Sequence, residues 1–238
     1  MKRIICATLS FPLAVLGQPV AFNFDSGEMS ASCILDSGRT AKPKDSALPD
    51  HDEARGSGVL VMENAERGGV FIKAPQTGDD VLEKAISQLT FCMAFRASPL
   101  SASPVFLERL AGGSSENVGF FRFRSQSNAV DDFERRGTFR FYTKGADGKS
   151  ISATSTAPWI QQDNTWNWVG MVFDKGRVAF YLNGERLGEE IKLPLEEIPG
   201  ISDSSYYMRG GYGFVGSLDD LVIIPGKGLH RCGDACHL

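Results

Sequence analysis

Histidine is scarce in this chain: there are three, and His230 and His237 stand at the extreme C-terminus. That leaves little for imidazole acid-base chemistry, and no H-E-x-x-H zinc pattern, G-x-S-x-G elbow or phosphate-cradling loop occurs. An excess of positive charge is also lacking, with 25 Lys and Arg against 29 Asp and Glu and a formal net charge of -4. This balance argues against nucleic-acid binding through a broad basic surface. The apolar run from Ile4 to Leu16 is too short to cross a bilayer. No repeat, heptad or low-complexity tract is present, which removes solenoids and coiled coils from consideration.

A basic start, Met1-Lys2-Arg3, precedes that apolar run, and Val15-Leu16-Gly17 offers small residues before Gln18. The pattern predicts a secretory signal over residues 1–17 rather than a buried first strand, with Pro12 speaking against the strand. A cut after Ala21 is weaker because Pro19 would stand third before it, and Cys6 inside the run argues against a lipoprotein signal. Loss of Lys2 and Arg3 takes the net charge from -4 to -6. The rest, in a chain with 42% hydrophobic residues, fits one domain at 18–228 followed by a Cys/His-containing tail at 229–238. The expected location is secreted, periplasmic or cell-surface, with no transmembrane segment.

The stretch from Thr165 to Gly184 reads as two strands joined at Asp174-Lys175-Gly176-Arg177, with a second turn at Asn183-Gly184. Asn-Gly adopts the positive φ angles of a type I′ hairpin readily, so the segment predicts a β-meander. Further strands are expected near Val59, Val70, Leu89, Val105, Val118, Thr138, Ile151 and Leu218. Short strands separated by turn signals imply an all-β, two-sheet antiparallel sandwich. Residues 26–57, rich in Ser, Asp, Lys, Pro and Gly, read as a long exposed loop. One short helix is expected at Asp79–Ser87, where Val81, Leu82, Ala85 and Ile86 share a face.

The meander, together with the glycine-flanked Gly213-Phe-Val-Gly-Ser-Leu-Asp-Asp-Leu-Val-Ile-Ile224, resembles the laminin-G-like jelly roll of the concanavalin A-like lectin and glucanase superfamily. Phe22-Asn-Phe-Asp25 is similar to its opening strand and Leu89–Phe95 to its F-T-I-S-x-W-V strand, although Phe95 replaces the tryptophan and Gly170 the usual alanine. The resemblance implies that Trp166 is a core tryptophan, with Trp168 packing on the same strand face. It also implies a structural Ca2+ held by Asp25 and Asp220; the alternative is that Asp219 and Asp220 accept backbone N–H bonds. Glycosidases of this fold need paired carboxylates, written E-x-D-x-x-E, and no Glu-x-Asp occurs here. Lyases of similar shape carry Q-I-H, also absent, although Tyr206–Tyr212 resembles their second motif. The implied function is therefore an exported non-catalytic module that binds a glycan or an extracellular protein. The alternative is a polysaccharide-degrading glycosidase or lyase with dispersed catalytic residues.

Within that frame Trp159, Tyr206, Tyr207 and Tyr212 are expected to face solvent as a stacking platform for sugar rings, with Arg209 reaching a hydroxyl or carboxylate. The cluster Arg122, Arg124, Arg135, Arg136 and Arg140 either attracts an acidic polysaccharide or simply alternates outward along FFRFR and TFRFY. Beyond the signal, Cys33, Cys92, Cys232 and Cys236 allow three disulfide pairings. Cys232 with Cys236 and Cys33 with Cys92 is the expected set, while the tail's C-x-x-x-C-H leaves zinc or haem as alternatives.

Overall fold

The computed structural model describes residues 20–22, 24, 31–32, 40–43, 47–63, 70–73, 82–97, 104–110, 118–127, 136–160, 165–201, 207–212 and 215–226. Among these it contains strands and no helix. In chain order they are β1 (Val20–Phe22), β2 (Ala31–Ser32), β3 (Thr40–Pro43), β4 (Ala47–Asp52), β5 (Ser57–Met62), β6 (Val70–Lys73), β7 (Gln88–Ala97), β8 (Val105–Leu110) and β9 (Phe121–Ser127). There follow β10 (Arg136–Lys144), β11 (Ser150–Thr154), β12 (Trp159–Ile160), β13 (Trp166–Asp174), β14 (Arg177–Leu182), β15 (Glu185–Arg186), β16 (Ile191–Lys192), β17 (Tyr207–Tyr212) and β18 (Gly216–Pro225). One antiparallel sheet runs β15-β14-β13-β7-β18-β5-β4, with β1 added to β18 and β16 to β14. The other runs β11-β10-β9-β8-β17-β6-β3-β2, with β12 added to β10. They are called sheets A and B below, and the architecture is that of a jelly-roll sandwich.

Alternation explains how one core forms. Phe91, Met93 and Phe95 of β7 and Val169, Met171 and Phe173 of β13 join Phe123, Phe139 and Phe141 of sheet B in a single apolar cluster. Phe106 lies at its centre, with ring centroids 5.2 Å from Phe95, 5.2 Å from Phe123 and 5.6 Å from Phe139. Each such side chain contributes about 1.5–3 kcal/mol by leaving water. The intervening residues Cys92, Val172, Ala179 and Tyr181 make a smaller cluster on the other face of sheet A. Cys92 is fully buried and disulfide-bonded, its partner lying outside the described residues.

Both expected hairpins form. Lys175 and Gly176 have φ of 46° and 79°, and Asn183 and Gly184 have φ of 51° and 85°, so each two-residue turn has the positive angles of type I′. Glycine at 176 is needed twice over, because a Cβ there would lie 2.0 Å from the Leu195 carbonyl oxygen.

Two expectations are corrected. Residues 82–87 form a turn and bend leading to a bridge between Ile86 and Ile198, with no helix. The carbonyls a helix would use internally are taken elsewhere: Arg109 donates to the oxygens of Leu82 and Lys84, and the Ile201 N–H to that of Glu83. Arg109 is itself fully buried and also donates to Gly119 and Pro199, clipping three connections together. Residues 26–57 are not one long loop, since β3 and β4 lie within them and pair with β6 and β5. Their Ser, Asp and Pro content hides strands that owe their stability to pairing, β3 with the more distant β6 and β4 in a hairpin with β5.

Candidate functional site

Sheet B has an unusual charge distribution. Among the residues of its strands Glu108 is the only acid, while Lys42, Lys73, Arg109, Arg122, Arg124, Arg136, Arg140, Lys144 and Arg209 are basic. The phenylalanines of β9 and β10 point inward, so the residues between them occupy the outer face. There Arg122, Arg124, Arg140 and Tyr142 line a depression of about 200 Å³.

Strand register sorts these residues into two rows. In the first, Arg209 of β17 stands opposite Glu108 of β8, Glu108 opposite Arg122 of β9, and Arg122 opposite Tyr142 of β10. Glu108 is wholly buried and bonds both arginines, Arg209 through Nε and Nη2 and Arg122 through Nε at 2.8 Å. The Arg122 guanidinium also lies 5.2 Å from the Phe120 ring centroid, and Phe120 packs edge-on against Tyr142 at 5.3 Å. One carboxylate bridges both guanidiniums of this row, which is thereby held by charge-assisted hydrogen bonds.

In the second row Arg124 stands opposite Arg140 on one side and Val105 on the other. No carboxylate is interposed. Arg140 is steadied by Gln126 at 3.4 Å and Ser152 at 3.2 Å, but its Nε is buried without a partner. Arg124 makes no ion pair or side-chain hydrogen bond among the described residues. Its pKa is lowered, first by partial burial and then by the positive charges of Arg122 and Arg140.

Two members of the expected stacking platform, Trp159 and Arg209, are buried. Trp159 is a core residue at 3% exposure, its ring 5.8 Å from Phe95 and 5.4 Å from Phe139 and its Nε1–H donated to Ser125 Oγ at 3.1 Å. Gly137, opposite Trp159, makes room for it: a Cβ there would approach Nε1 to 2.7 Å. Arg209 is buried against Glu108 rather than reaching into solvent. Tyr207 and Tyr212 bound β17, whereas Tyr206 and Arg135 lie outside the described residues. Sequence reasoning found the arginine cluster through its alternation but missed Glu108 and Tyr142, whose places depend on the register across β8, β9 and β10.

Trp166 and Trp168 share a strand face, as expected, but it is the outer face of sheet A, and both are partly exposed. The Arg55 guanidinium sits 5.0 Å from each indole centroid, and Arg96 lies 5.3 Å from that of Trp166. Trp166 is therefore not the core tryptophan; Trp159 has that position. Arg55 also donates through Nε to Asp219 at 2.7 Å and through Nη2 to Asp220, while Asp219 accepts from Ser57 at 2.9 Å and from the Asp220 N–H at 2.8 Å. A β-bulge between Asp219 and Val222 and a φ of 47° at Asp220 bring both carboxylates to one guanidinium. Among the described residues the Asp220 carboxylate faces the Arg55 guanidinium, and no three metal-ligating side chains gather. Asp25, Cys33, Cys232 and Cys236, together with the expected signal and tail, lie outside the described residues.

The family Laminin_G_3, of the concanavalin A-like lectin/glucanases superfamily, matches residues 74–226. The chain belongs to this family. Among curated proteins no match is found. As a laminin-G-type sandwich it is similar to domain 4 of an extracellular GH43 arabinanase from Geobacillus stearothermophilus, solved in complex with arabinotriose. That likeness has a TM-score of 0.60 and 13% identity over 91% of this chain and 96% of that chain. The botulinum neurotoxin DC binding domain, solved with rat synaptotagmin II, gives 0.55 and 13% over 90% of this chain and 49% of that chain. The enzymatically active domain of tailspike protein 2 from bacteriophage CBA120 gives 0.55 and 9% over 92% and 30%. At these identities the likenesses concern the laminin-G-type fold alone.

Proposed function

We propose that this protein is an exported, non-catalytic laminin-G-type module that binds a glycan on the outer face of sheet B. The carrying observation is the depression lined by Arg122, Arg124, Arg140 and Tyr142, which offers fixed donors beside an aromatic ring. Glycoside cleavage at this face would require two carboxylates, whereas its one strand carboxylate, Glu108, is buried between two arginines. A glycan is favoured over a protein partner because Val118 is the only large apolar side chain exposed among the described residues, too little for an apolar interface centre. Structural neighbours solved with arabinotriose or with synaptotagmin make either ligand class compatible with the fold.

The test is affinity electrophoresis of the purified protein against a panel of plant, bacterial and animal polysaccharides, with product sizing in parallel. Retarded migration in at least one polysaccharide without shortened chains is the expected result. Released oligosaccharides would establish the degrading enzyme instead, and the absence of retardation by any polysaccharide would remove the glycan reading.

A further inference from the structure

Resting on the glycan reading, we infer that the ligand is an acidic polysaccharide whose carboxylate or sulfate group is held by Arg124 between Arg122 and Arg140. Comparison of the two cross-strand rows carries the inference. In the first row a buried carboxylate stands between two arginines and satisfies both. In the second, two arginines face each other directly and the next position is Val105, so no described residue supplies the anion that would complete the same arrangement. Like charges directly opposite in a sheet are destabilising. Among the described residues no carboxylate stands beside this pair, and a local rule broken without compensation there marks a position used for something else.

The donors suit an oxyanion. Arg122 and Arg140 are steadied by Glu108, Gln126 and Ser152, so little ordering remains to be done when a ligand arrives. The Arg124 guanidinium meets no partner among the described residues, and its planar fork matches a carboxylate or sulfate in bidentate fashion. The buried Nε of Arg140 supplies a further unmatched donor. The lowered pKa of Arg124 is consistent with a charge that an incoming anion would relieve. Tyr142 at the edge of the depression offers a ring to the sugar that carries the anion.

The experiment measures binding by calorimetry to polygalacturonate, dextran sulfate, neutral dextran and poly-glutamate, at low and at moderate NaCl. Wild-type protein should bind polygalacturonate, dextran sulfate or both, more weakly as salt rises, and should bind dextran and poly-glutamate at least ten-fold more weakly. Which of the two acidic polysaccharides binds assigns carboxylate or sulfate. Arg124→Gln should lose at least ten-fold in that affinity while its melting temperature is unchanged or raised, since a repulsive pair has been removed. Arg177→Gln, an equal charge change on sheet A, should bind like wild type. Binding of a neutral polysaccharide that is insensitive to salt and to Arg124→Gln would overturn this inference and leave the glycan reading standing. Full acidic-polysaccharide affinity in folded Arg124→Gln, or equal affinity for poly-glutamate, would overturn it as well. Failure to bind any polysaccharide, including the wider panel, would remove both.

Discussion

Trp159 and Trp166 differ in what a truncation would leave behind. Removing the Trp159 indole empties a site enclosed by Phe95 and Phe139 and strands the Ser125 hydroxyl, so Trp159→Ala should cost about 4 kcal/mol. Trp166 already meets solvent on one side, and its main contacts are the guanidiniums of Arg55 and Arg96; Trp166→Ala should cost about 1–2 kcal/mol. Chemical denaturation of the two variants checks this order. A larger loss for Trp166→Ala would return it to the core. The sequence invited the opposite ranking because a tryptophan within an apolar strand and another after a proline look like core and surface. Which face of β13 turns inward is decided by pairing with β7, and Trp159 is drawn inward by β12 joining β10 opposite Gly137.

At the scale of elements, the bulge of β18 is held by an internal cation. Asp219, with its side chain 2% exposed, and Asp220 converge on Arg55, and Arg55→Gln leaves a buried carboxylate without its charge partner. A loss of about 3 kcal/mol is expected. Added calcium should not restore the melting temperature of this variant, and recovery at millimolar calcium would show that the bulge is a metal site after all. This element also shows what sequence makes legible. Asn183-Gly184 and Lys175-Gly176 announce their turns through local backbone chemistry, and strands β7, β13 and β14 through apolar alternation. Strand β17 carries paired glycines and exists by virtue of partners far away in sequence, as does the non-helical path of residues 82–87, whereas the proline and acids of β4 mask a hairpin with the neighbouring β5. The arginines of the site were legible for the same reason as the strands, by alternating with phenylalanine. Their sorting into a row bridged by a carboxylate and a row without one was not, because it depends on the irregular register between β8 and β9.

For the whole molecule, the two sheets carry different charge. The strands of sheet A hold Asp50, Asp52, Asp174, Glu185, Asp219 and Asp220, whereas those of sheet B hold Glu108 alone among many Lys and Arg. A net charge of -4 therefore conceals an uneven division of charge between the strands of the two sheets. Over distances shorter than the Debye length, about 10 Å at 0.1 M salt, a ligand feels the local patch and not the net charge. The protein should accordingly be retained on a sulfonate cation exchanger at pH 7 and low salt, despite its negative sum, and elute as salt rises. Replacing Arg122, Arg124 and Arg140 together with glutamine should move it to the flow-through, while the same number of substitutions among arginines and lysines of sheet A should leave it retained. Such a triple variant must keep the wild-type circular dichroism spectrum for the comparison to count, and Arg124→Gln alone should already elute earlier. Passage of the wild-type protein through the exchanger without retention at low salt would show that the acids elsewhere screen the face of sheet B, and the depression could not then recruit an acidic chain by charge.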